Sequence, residues 1–182
     1  RWMVGAQARG WIGFLTVRCA TIFGRLIGLV SGYARGWVDG VIMAVNNALR
    51  AFPGILLALG LLAVFGANQY GIIFALGIAY TPSMARVVRG AVLSLREREY
   101  VLAARALGVR PWHIIGRHLL RNAYGPILVN ATLAVAGGIL AEAALSFLGL
   151  GVAQPDPSWG NMLTAAQSMR VLSYEWWLWV PP

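Results

Sequence analysis

Three kinds of side chain in this sequence could do chemistry: two histidines, one acid inside an apolar run, and fifteen arginines with no lysine beside them. His113 and His118 stand five apart, about 140° around an α-helix, so they do not stack as an i, i+4 pair would. There is no HExxH pattern, and that spacing argues against a metal site and for structural or interfacial roles. Glu142 is the acid inside an apolar segment, where an ionisable group is a candidate functional residue by default. It either lines a path or pairs with Arg18 or Arg25, because buried charges need partners. Asn46, Asn47 and Arg50 precede Phe52-Pro53-Gly54. They either face a water-filled path or are simply wet near the end of a span. No nucleophile with a base and no paired carboxylates are recognisable, so no catalysis is assigned. The lack of lysine excludes a standard Walker A phosphate loop; ATP, if used, binds on another chain. The single cysteine, Cys19, cannot form an intrachain disulfide and reads as a small packed residue.

The most informative stretch is 99–122. It reads as two short helices joined by a turn. Ala103, Ala104, Ala106 and Leu107 favour helix. Gly108 suits the left-handed residue that ends one, and Pro111 can open the next. Small alanines leave room for a partner to close around the first helix. A compact, rigid knob of this kind suits mechanical coupling; an ordinary amphipathic interfacial helix fits the same composition. Composition alone leaves both open.

The elements that must position these residues are membrane spans. Of 182 residues, 59% are hydrophobic and only 12% charged, about half the charge of a soluble domain. Mean hydropathy is +0.67. The natural solvent is a bilayer. The net charge of +9 does not indicate nucleic acid, since the arginines lie between long apolar runs rather than on one basic patch. Apolar segments predict spans at about 11–30, 41–65, 72–92 and 123–148, with the start of another at 174. Arg18 and Arg25, seven apart in the first, fall near one face that would meet protein or water rather than lipid. Glycines recur at Gly24, Gly28, Gly32, Gly36 and Gly40; the first three predict a close helix contact and the last two a turn. Pro53 predicts a kink or break in the second span, and Pro82 lies inside the third. Between Arg86 and Arg121 there are eight arginines against two glutamates, so the loop 93–122 is expected on the cytoplasmic side and the loop 149–173 outside. No signal-peptide pattern follows Arg1, and both ends read as cut rather than finished. The expectation is one all-α, polytopic transmembrane domain over 1–182.

Several motifs occur in order: Gly36-Trp37-Val38-Asp39, Ala51-Phe52-Pro53-Gly54, Val87-Val88-Arg89-Gly90, Ser94-Leu95-Arg96-Glu97-Arg98-Glu99-Tyr100-Val101, Arg117-His118-Leu119-Leu120, Glu142-Ala143-Ala144-Leu145-Ser146-Phe147-Leu148-Gly149-Leu150-Gly151 and Pro157-Ser158-Trp159-Gly160. With the 99–122 stretch they resemble the permeases of ABC importers, and most closely the C-type permease of the oligopeptide, dipeptide and nickel importers. The resemblance covers about 33–159. It implies a MetI-like type I permease bundle that imports peptides or nickel and carries an EAA-like loop docked on an ATPase subunit. By that resemblance Leu102, Ala103, Ala104, Arg105, Leu107 and Gly108 couple to the ATPase, and Asn46, Asn47 and Glu142 are candidates for the path. Two positions depart from the pattern: Leu102 stands for the acid of the EAA triplet, and Arg121 for the proline of the downstream leucine–proline pair. The implied partners are a second homologous permease, two ATPase subunits, an extracytoplasmic binding protein and membrane lipid, in a bacterial inner membrane. ATP and magnesium would sit on the partner subunits, with no cofactor in this chain. An ion-coupled secondary transporter is the alternative; it would need several intramembrane polar groups or repeated broken helices.

Overall fold

The structure, a computed structural model, describes residues 2–34, 36–66 and 68–149, with side-chain surroundings from residue 11 onward. Every described element is helical. Helix α1 is Trp2–Ala34, α2 Gly36–Ala51, α3 Gly54–Phe65 and α4 Gln69–Leu95. The elbow follows, with α5 at Glu99–Ala106 and α6 at Pro111–His113 running through a π-helical stretch, Ile114–Leu119, into α7, Leu120–Asn122. The last described helix is α8, Tyr124–Phe147. Gly149 follows with φ +78; the rest of the expected outer loop, and the apolar segment expected from 174, lie outside the described residues.

Three stretches are long and apolar enough to cross a membrane: Trp11–Ala34, Gln69–Leu95 and Tyr124–Phe147. They contain the segments expected at 11–30 and 72–92 and nearly all of that at 123–148. The expected second span is a bent pair, broken at the expected Pro53. Helices α2 and α3 meet at 94°, because Pro53 has no N–H to continue α2 and sits extended at ψ 132. Its carbonyl then accepts the Leu57 N–H at 3.0 Å and opens α3.

Helix α1 packs along α4 through the glycine strip. A Cβ at Gly24 would stand 2.6 Å from Met84 Cβ, and one at Gly32 2.9 Å from Val92 Cβ. At Gly28 it would meet both Val88 Cβ and the Ala85 carbonyl oxygen at 2.6 Å. Glycine every fourth residue on one helix thus faces a side chain every fourth residue on the other, the small-residue contact that lets membrane helices approach. Gly36 makes the expected turn at φ +64. Gly40 does not; it lies inside α2, with no heavy atom near enough to require a glycine.

Two apolar clusters hold the bundle. One, at the elbow end, joins Leu29, Val88 and Val92 to Val101, Ala104, Ile114, Leu119 and Ile127. The other, at the far end, joins Ile12, Ala58, Leu62, Ile72 and Leu76 to Ala141 and Leu145.

Candidate functional site

The elbow is built as the sequence indicates, with a twist in its second half. Helix α5 ends at Gly108, φ +73, where the Gly108 N–H reaches the Arg105 carbonyl at 2.9 Å and the Val109 N–H the Ala104 carbonyl at 3.1 Å. Only glycine takes that left-handed step without cost. Pro111 opens α6. Val101 and Ala104 turn inward onto Ile114, Leu119 and Ile127, so the elbow is one packed body with the ends of α4 and α8. Leu102, Ala103, Arg105, Leu107 and Gly108 face out, and Leu107 is 83% exposed. Trp112, at the start of the second half, is exposed as well. The Arg105 guanidinium lies over the Tyr33 ring at 5.3 Å and ties the elbow to the end of α1.

The histidines correct an expectation. An α-helix would splay His113 and His118, but the wider π-turn between them brings their rings edge to face at 6.4 Å. His118 also meets Tyr100 of α5 at 6.2 Å.

The candidate path residues do not converge. Asn46 is buried, and its Nδ2 donates to the Pro82 carbonyl at 3.1 Å. Asn47 is exposed and accepts from Arg86 Nη2 at 2.8 Å. Glu142 is 1% exposed at the far end of α8, where the Ser146 hydroxyl donates to it at 2.6 Å. Its pairing with Arg18 or Arg25 is not formed: the ion pairs among the described residues are Arg89–Asp39 and Arg96–Glu97. Both arginines line a groove between α1 and α8 instead, while one Glu142 oxygen takes the Ser146 hydroxyl of its own helix.

A charged corner was not legible as a site. Arg89 grips Asp39 with two bonds, Nε to Oδ1 at 2.7 Å and Nη2 to Oδ2 at 2.5 Å, the bidentate fork that arginine alone offers. The Ser31 hydroxyl also donates to Asp39. Directly after α4, Arg96 caps the helix, is buried and donates to the Gly32 carbonyl at 3.0 Å. Arg89 of α4 and Arg96 at its cap therefore hold the α1–α2 turn from both sides of Gly36. The only sequence signal was an aspartate opening an apolar helix and an arginine closing another, 50 positions apart.

The α1–α8 groove has a volume of about 810 Å³. Arg18, Thr21 and Arg25 line one wall, and Leu128, Thr132 and Val135 the other. Tyr124 closes the elbow end, its ring 5.2 Å below the Arg25 guanidinium.

Three apolar spans, a broken pair and a packed elbow define a class: the polytopic helical membrane proteins. Residues 24–180 match the family described as "Binding-protein-dependent transport system inner membrane component". The dipeptide transport system permease protein DppC of Alkalihalophilus pseudofirmus is 42% identical over 90% of this chain and 54% of its own length. The glutathione transport system permease protein GsiD of Pectobacterium atrosepticum is 37% identical over 95% of this chain and 58% of its own. The chain thus spans under three-fifths of the length of these relatives. Among solved structures, the inward-facing MetNI methionine ABC transporter superposes with a TM-score of 0.75 at 20% identity, covering 89% of this chain and 78% of that one; this likeness is one of fold. The chain belongs to the binding-protein-dependent transport system inner membrane component family.

Proposed function

We propose that this chain is the membrane subunit of an ATP-driven importer, forms part of its translocation path and receives force through the elbow. Peptides are the favoured cargo, because the relatives quoted are named for dipeptides and glutathione; nickel is the second choice. The working complex contains a second homologous permease, two ATPase subunits that carry ATP and magnesium, and a binding protein on the outer side. The elbow lies in the cytoplasm, as its arginine excess requires.

The observation that carries the reading is the construction of the elbow. Its inner face is locked to both α4 and α8, and its outer face offers Leu102, Ala103 and Leu107 with no cover. A partner that closes on that face moves both helices together. Alternating access then follows from rocking of packed helices rather than from chemistry in this chain.

Leu107→Glu, made in the complete protein, tests it. The variant should lose co-purification with the ATPase subunits and lose uptake, while its own thermal transition holds. Uptake that persists without ATP and follows an ion gradient would favour the secondary-transporter reading instead.

A further inference from the structure

We propose that the α1–α8 groove is a carboxylate track, in which Arg18 and Arg25 receive the anionic end of a cargo molecule in turn. The inference rests on the transport reading above and names the chemistry of the cargo.

The two arginines sit where charge is costly. Both lie about two turns or more inside the apolar stretch Trp11–Ala34. Arginine at such depth faces a partner or a water-filled cavity and marks an ion or substrate route. Among the described residues no acid pairs with either of them. The described lining of the groove holds two guanidinium groups and no acid, and the described ion pairs lie elsewhere. Arg25 Nε and the Thr21 hydroxyl are buried with no hydrogen-bond partner. A buried donor left unmade is expensive, so the arrangement is completed by something that accepts. Tyr124 holds the Arg25 guanidinium from below without neutralising it.

Spacing selects the anion. Seven residues of helix set Arg18 and Arg25 about 10 Å apart along the axis. A lipid headgroup occupies one depth, near the end of a span, and cannot serve both. A carboxylate on a moving cargo can, passing from one fork to the next with Thr21 between them. The volume is of the size that holds a small ligand. The apolar walls would take side chains of any kind, so the groove reads the charged end and is indifferent to the rest.

The test uses the whole importer in vesicles, with dialanine and its C-terminal amide as paired cargo. The intact complex should favour the free acid. Arg18→Gln with Arg25→Gln should lower the acid-to-amide uptake ratio about tenfold, the loss expected for charge-assisted bonds to a carboxylate. Arg18→Lys with Arg25→Lys should restore part of it. An unchanged ratio overturns the inference. So does equal loss of both cargoes together with loss of the partner permease at purification, which would make the arginines interface residues. A ratio that falls only when phosphatidylglycerol is present, and not in phosphatidylcholine vesicles, gives the arginines to lipid and also overturns it. The transport reading fails visibly and separately: the unsubstituted complex then takes up neither peptide, and the inference goes with it.

Discussion

Helix α1 has two long neighbours and treats them in opposite ways. Against α4 it presents bare backbone at Gly24, Gly28 and Gly32, and the polar groups at that contact's end are matched: Asp39 to Arg89 and Ser31, Arg96 to the Gly32 carbonyl. Against α8 it presents Arg18, Thr21 and Arg25 across open space, with donors unmatched. The same helix therefore carries a closed face and an open one. A closed face fixes geometry; an open face in an apolar span waits for something to fill it.

The contrast can be broken most forcefully at Gly28. A Gly28→Leu side chain would run into the Ala85 carbonyl, which is backbone and cannot swing away. We expect about 3 kcal/mol of destabilisation or more, near the top of the overpacking range, and little protein surviving size-exclusion in detergent. Gly40→Ala, in open space on α2, should be neutral or slightly stabilising by the same measurement. If Gly28→Leu behaves like Gly40→Ala, the closed face does not exist.

Next in size is the corner. Asp39→Ala leaves the partly buried Arg89 without its fork and should cost about 1–3 kcal/mol in thermal unfolding. The exchange Asp39→Arg with Arg89→Asp should recover part of the loss; no recovery would mean that Ser31 and the helix end, not the pair, set the geometry. Smaller again is Asn46→Ala, which removes one bond to the Pro82 carbonyl and should cost about 1 kcal/mol. Smallest is Arg18→Gln, on the open face. With no partner to lose among the described residues, it should change stability by less than about 0.5 kcal/mol or stabilise the fold slightly. A large loss there would show that the open face is closed by the chain after all.

Much of this architecture is local and was readable as such. Apolar runs of sufficient length marked three spans. Glycine at every fourth position marked the α1–α4 contact, Pro53 the break, and Gly108 with Pro111 the elbow's turn. Each follows from a property of a few consecutive residues. The unreadable parts depend on contacts across the chain. Asp39 and Arg89 are 50 positions apart, and nothing in either neighbourhood names the other. Asn46 looked like a path residue because it is polar in a span; its amide instead meets a carbonyl on α4. Glu142 accepts from Ser146 on its own helix and does not pair with Arg18 or Arg25. The π-turn had no signal, since neither histidine nor glycine spacing specifies one.

That π-turn, Ile114–Leu119, has a mechanical consequence. It holds one surplus residue within the elbow, ahead of α8, and tightening to the ordinary pitch would take that surplus up. Each residue taken up turns everything beyond by about 100° and shifts it by about 1.5 Å. A tug on the elbow would then emerge along α8 as a twist, the way a loosened screw thread converts pull into rotation.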